Sequence, residues 1–269
     1  MAYPTVSAPY GFKPVNLIGG QVYAGSTRNL PISYGYNTNI FYGDFVNLAS
    51  GYVASVANTI ATPTIGVFLG CTYTNPTTKQ KLFSQYWPAG TLAGDAEAII
   101  ADDPDLIFKV AVTTAAGATT IGSASSLLIG ANMAGNTVTG STSTGNSAGA
   151  VVGSVVTSTG NFRVVDFVLD TQVSTSAAYV SGTGTTTLTV SGLAVGTVLP
   201  IGTDIFNLVN GQLQFTGSSL TAAATVSSST SQALTVTAST VAVSGTLVLV
   251  QTPEVLVKIT FGSHRYYVA

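Results

Sequence analysis

Thr64-Ile-Gly-Val-Phe-Leu-Gly-Cys-Thr-Tyr73 is the stretch that decides the fold. It is apolar, rich in β-branched and aromatic residues, and too short for a buried helix. It therefore reads as a strand, and its two glycines allow another backbone to approach closely. Similar runs lie on either side. Ile40–Leu48 and Tyr52–Val56 flank Ala49-Ser-Gly51 and read as a hairpin. Leu106–Val112 and Phe162–Leu169 read as firm strands. Asp95–Ala101 suits a short helix or a strand, and two strands joined by the acidic turn Asp102–Asp105 is the preferred reading.

The character of the chain changes further along. Val110–Phe162 is Ala-, Gly-, Ser-, Thr- and Asn-rich, loop-like in part, with weak strands expected near Ser126–Ile129 and Val151–Val156. From Tyr179 to Gln251, Thr and Val alternate between Ser/Gly/Ala turns, as half-buried antiparallel strands do. Pro253–Phe261 then returns to the apolar strand pattern of the first half. The chain is thus expected to be all-β: an extended arm over 1–28, an antiparallel β-barrel or sandwich body over 29–178 plus 252–269, and a small β-domain over 179–251 inserted before the last strand. Such an insertion adds little loop-closure cost.

Composition restricts function. Of 269 residues, 7% are charged, one is His and one is Cys. Neither Val110–Phe162 nor Ile205–Pro253 is expected to do charge-based chemistry, since neither carries a single Asp, Glu, Lys or Arg. Proton transfer, metal ligation and phosphate contact all need such groups. The eight basic residues are scattered and the net charge is -2, which argues against nucleic acid. No run reaches the roughly 18 apolar residues of a membrane span. The first residues carry three prolines and no apolar core of a signal peptide, so synthesis in a cytoplasm and use as made are expected. The lone Cys71 sits in the apolar run and reads as a buried, inert thiol.

Candidate chemistry is thin. Asp102, Asp103 and Asp105 could suggest a cation, but neither the Gly nor the distal Glu of a calcium loop is in register. His264 beside Arg265 reads as a surface or interface residue. Asp44, Asp95 and Glu97 could supply a glycosidase pair on paper, with no spacing to support it. No catalytic residue, cofactor or metal is expected. The candidates for an interface are aromatic: Tyr3, Tyr10, Phe12 and Tyr23 along the arm, and Tyr266 and Tyr267 at the end. The alternative is an arm packed on its own domain.

Several of these stretches also carry a family likeness. Ala8-Pro-Tyr-Gly-Phe-Lys-Pro14, Ile40-Phe-Tyr-Gly-Asp44-Phe-Val, Ile65–Tyr73, Tyr86-Trp-Pro88 and Ala98–Val110 together resemble the head decoration (cement) proteins of tailed bacteriophages, podovirus-like ones in particular. The Asp102-Asp-Pro-x-x-x-Phe108-x-Val110 stretch is the more specific part, with Gly66-Val-Phe-Leu-Gly-Cys71. Tyr179–Gln251 resembles, in composition, the Thr/Gly/Ser-rich β-modules of phage structural proteins. The likeness implies a non-enzymatic protein on the outer face of a virion. Its partners would be the major capsid protein and itself, as a homo-oligomer with a trimer favoured over a dimer. The alternative is a tail-associated or host-surface-binding adhesin.

Overall fold

The computed structural model describes residues 6–56, 63–153, 160–183, 186–239 and 241–266. Among them there is no α-helix, and the all-β expectation holds. Three sheets carry the architecture, each with its own apolar cluster.

The central strand Gly66–Thr74 explains the body, because it is buried on both faces. Phe68, Cys71 and Tyr73 fill one core with Ile40, Val46, Trp87 and Ile100. Val67 points the other way, into a second core with Phe45, Ala101, Phe108 and Phe162. A bulge between Phe68 and Gly70 inserts Leu69 opposite the Glu97–Ala101 strand, and this keeps Cys71 and Tyr73 on the face of Phe68. Two-sided burial is why the run shows no alternation.

The first core lies inside a small, nearly closed sheet, in the order Arg28–Pro31, Glu97–Ala101, Gly66–Thr74, Phe45–Ala49, Tyr52–Ser55. Its two ends meet at a bridge between Ile32 and Val53. Phe45–Ala49 and Tyr52–Ser55 form the expected hairpin, turning through Ser50 and Gly51 with φ of 51° and 86°. Positive φ at both central positions marks the type I′ turn that suits strand twist.

A seven-stranded sheet covers the barrel and encloses the second core. Its central strands are Leu106–Thr113, Glu254–Ile259 and Phe162–Phe167, all antiparallel. The acidic turn does link two strands, but they belong to different sheets: Glu97–Ala101 lies in the barrel and Leu106–Thr113 in its cover. Lys13–Leu17 pairs along the edge of Leu106–Thr113. Near Ser126 the structure departs from the expected weak strand. Ser126–Leu128 is a 3₁₀ turn capped by Ser125, whose hydroxyl competes with strand pairing for the local backbone. Ala150–Val152 is a short strand, and the rest of the run expected to Val156 lies outside the described residues from 154.

The third sheet is grown on a hairpin of the second. Phe162–Phe167 and Glu254–Ile259 are paired neighbours, and so are Val173–Thr183 and Thr246–Gln251. The chain leaves and returns side by side. Gln172 Nε2 donates to Thr252 Oγ1 across this neck at 3.0 Å. Six strands follow in the order Gln212–Ser219, Asp204–Val209, Thr246–Gln251, Val173–Thr183, Thr187–Ser191, Gln232–Thr235. A bridge from Leu220 to Val236 brings the two ends together around a core of Leu188, Val190, Ile205, Leu234 and Leu249. The Asp204–Ser219 hairpin turns at Asn210-Gly211, both at positive φ, a second local turn signal of this kind.

Gly66 gives a sharp test of this packing. A Cβ there would lie 2.3 Å from the carbonyl oxygen of Ala101, a backbone atom in the neighbouring strand. Gly66→Ala should destabilise the protein by about 2–4 kcal/mol through the forced separation of the two strands. Urea denaturation followed by Trp87 fluorescence measures it, and an unchanged midpoint would refute the close approach.

Candidate functional site

The residues nominated as an interface do not gather in one place. Tyr3 and Tyr267 lie outside the described residues. Phe12 is fully buried in the second core, stacked on Phe162 at 4.5 Å and edge-on to Phe45 at 5.3 Å. Its backbone is fixed as well: Phe12 N–H donates to Gly43 O at 2.9 Å, and Gly11 N–H to Gly149 O at 2.9 Å. Residues around Phe12 are therefore part of the body, and a cut through Pro14 would open the core. The offset ring cluster around Phe12 is worth more than its buried area alone.

Tyr10 is half-buried. Its hydroxyl donates to Glu254, and the Lys13 ammonium sits 4.5 Å from its ring centre. Glu254 is buried, with Lys109 Nζ 3.5 Å from the same carboxylate oxygen. Burial and the Glu254 carboxylate raise the Tyr10 phenol well above its ordinary value, so it stays a donor. Tyr23 is half-buried against the second core, and its hydroxyl donates to Ser26 O at 2.9 Å. Tyr266 is 45% exposed. Its hydroxyl meets Asp102 and Arg28, and the Arg28 guanidinium lies 5.0 Å from its ring centre.

The polar candidates serve the fold. Asp102 is buried and pairs with Arg28 Nε at 2.6 Å. Asp103 Oδ1 accepts from the Asp105 N–H, and Asp105 pairs with Lys258 at 3.2 Å. Among the described residues no group of three or more His, Cys, Asp or Glu side chains is placed to hold a metal ion. His264 corrects the sequence reading. It is fully buried, not at the surface, because Thr64 and His264 bridge two backbone segments and draw the ring inward. Burial lowers its pKa and favours the neutral ring. Cys71 is buried as expected, and burial pushes its thiol up to about 12.

The three acids of the glycosidase alternative are separately employed. Asp95 is tied to Lys81 Nζ at 2.8 Å and to Thr74, which hold its carboxyl well below the usual range. Glu97 accepts from Asn29 Nδ2 at 3.2 Å. Asp44 is buried, its oxygens accepting from Phe41 N–H at 2.8 Å and Ser147 Oγ at 2.5 Å. Those bonds tie the barrel to the loop before Ala150. Desolvation still outweighs them and pushes the Asp44 carboxyl up to about 6. No family model, curated protein or solved structure matches the chain.

Phe12→Ala should cost about 3–5 kcal/mol of stability, as for a ring lost from a close-packed core; a loss below about 1 kcal/mol in urea denaturation would return Phe12 to the interface candidates. For Asp44, a folded pKa raised above its unfolded value of 3.8 favours the protonated form in the fold. Its contribution is full below about pH 4 and lost as pH rises through about 6, about 3 kcal/mol in all. Asp44→Asn should flatten the fall in melting temperature between about pH 4 and pH 6.5, and parallel curves for the two proteins would contradict the assignment.

Proposed function

We propose that the chain is a structural, non-enzymatic virion protein. In this reading it binds the outer surface of a tailed-phage capsid, bridges neighbouring major capsid protein subunits and braces the head against internal DNA pressure. It would do so as a homo-oligomer, with a trimer favoured over a dimer. One observation carries the reading. The residues that resemble decoration proteins are the ones that build the body: Phe12, Gly43-Asp44-Phe45, Gly66–Tyr73, Trp87 and Leu106–Val110 line or join its two cores. That these stretches pack into one body supports reading the likeness as a whole.

The physical character of the chain supports the same role. A lattice clamp needs many contacts, each of modest strength, because multivalency multiplies them. A surface poor in charge loses little by desolvation when it is covered. The module over Val173–Gln251 is joined to the body by a two-stranded neck and by Asp204, which accepts from Ser125 and Ser126, so it can stand beside a body that does the clamping.

Capsids prepared without this protein test the reading. Added protein should bind them at a fixed ratio, with density on the outer face bridging capsid subunits in cryo-electron microscopy. A variant joining Gln172 to Thr252 through a short Gly-Ser linker should bind equally. Binding to host cells, with none to capsids, would replace this role with that of an adhesin.

A further inference from the structure

In the seven-stranded covering sheet, Arg163 stands directly opposite Lys258 on adjacent antiparallel strands. Like charges in that relation repel across about 5 Å and destabilise the pair. The chain has few cations to place, and it places two of them here. Lys258 has a partial answer in Asp105, 3.2 Å away. For Arg163, Nε donates to Asn132 Oδ1 at 3.2 Å, and no carboxylate lies within ion-pair distance among the described residues. The outer edge of its guanidinium is the part that binds carboxylates in bidentate fashion.

A cavity of about 320 Å³ opens at this point, lined by Asn132, Arg163, Lys258 and Thr260 on its polar side. Ile18 and Phe261 form its apolar side, 44% and 71% exposed. We infer that this cleft binds an acidic side chain of a partner protein, one flanked by apolar residues. Two cations and the Asp105 carboxylate leave a single positive charge, which matches one Asp or Glu. The apolar wall adds a reason to take a peptide over a free ion. A nucleic acid would need a row of unpaired cations. The other basic residues on that sheet are both engaged, Lys109 by Glu254 and Lys13, opposite it, over the Tyr10 ring.

This inference deepens the shell-binding reading by naming the chemistry of the partner, and it relies on that reading only for which protein the partner is. Its test needs no capsid, so either can fail alone. The blocked peptide Ac-Leu-Glu-Leu-NH2 is titrated into ¹⁵N-labelled full-length protein, alongside its Gln counterpart and inorganic phosphate. The expected result is saturable shifts at the amides of Asn132, Arg163, Lys258 and Phe261. Binding should weaken at least fivefold for the Gln peptide, and likewise for the Glu peptide on Arg163→Gln or Lys258→Gln. Equal binding of both peptides, shifts centred elsewhere, or an unaltered Arg163→Gln would overturn the site. Phosphate binding more tightly than the Glu peptide would overturn its assignment to a protein partner.

Discussion

The pairing of Glu254–Ile259 between Leu106–Thr113 and Phe162–Phe167 is the constraint on which the rest of the body depends. This strand fills the middle of the covering sheet, and Val255, Val257 and Ile259 complete the core that Phe12, Phe45 and Phe108 occupy. Without it the sheet would be split, and the barrel would lose the layer that covers Val67 and Ala101. Yet it arrives after everything from Val168 to Pro253. The body is therefore assembled from contacts distant in sequence, the kind that form late and slowly. The paired neck limits that cost. Once Val173–Thr183 and Thr246–Gln251 pair, the two ends of the body's own hairpin are held together, whatever the length of the loop beyond them.

How much of this is legible in the sequence depends on whether a residue's environment is local. The Ser50-Gly51 hairpin is legible because turn chemistry is local, and Asn210-Gly211 carries an equally local signal. Gly66–Thr74 is legible as a strand because burial on both faces writes an unbroken apolar run. The same run cannot say that its faces serve two cores, since that follows from which strands lie above and below. Phe12 shows the limit most sharply. Prolines favour an extended chain, but whether such a chain hangs free or is pinned depends on Gly43, Phe45 and Phe162, all far away in sequence. His264 is the parallel case at the other end: its burial comes from backbone pairing with Thr64.

The candidate sites are hardly legible, for a related reason. A carboxylate is noticed in a sequence as chemistry, whereas in this fold most carboxylates act as staples. Asp44 ties a barrel loop to Ser147, and Asp204 ties the module to the body by accepting from Ser125 Oγ at 2.6 Å and Ser126 N–H at 2.7 Å. Both are buried with neutral donors, and burial raises both carboxyls. Such joints are strongest when the acid is protonated or fully hydrogen-bonded, and they fix geometry more than they add stability.

That pattern gives the Arg163–Lys258 pair its meaning. Arg28, Lys81, Lys109 and Lys258 each have a carboxylate within 4 Å. Lys13, which stands opposite Lys109, lies over the Tyr10 ring, whereas Arg163 and Lys258 stand opposed with one acid between them on the most constrained strands. Register makes the arrangement rigid, because moving Lys258 by one residue would turn Val257 and Ile259 out of the core. Repulsion between fixed neighbours cannot be relieved by sliding the strands. It is relieved by an anion supplied from outside, and the core residues that hold the pair in place also keep the cleft preformed for it.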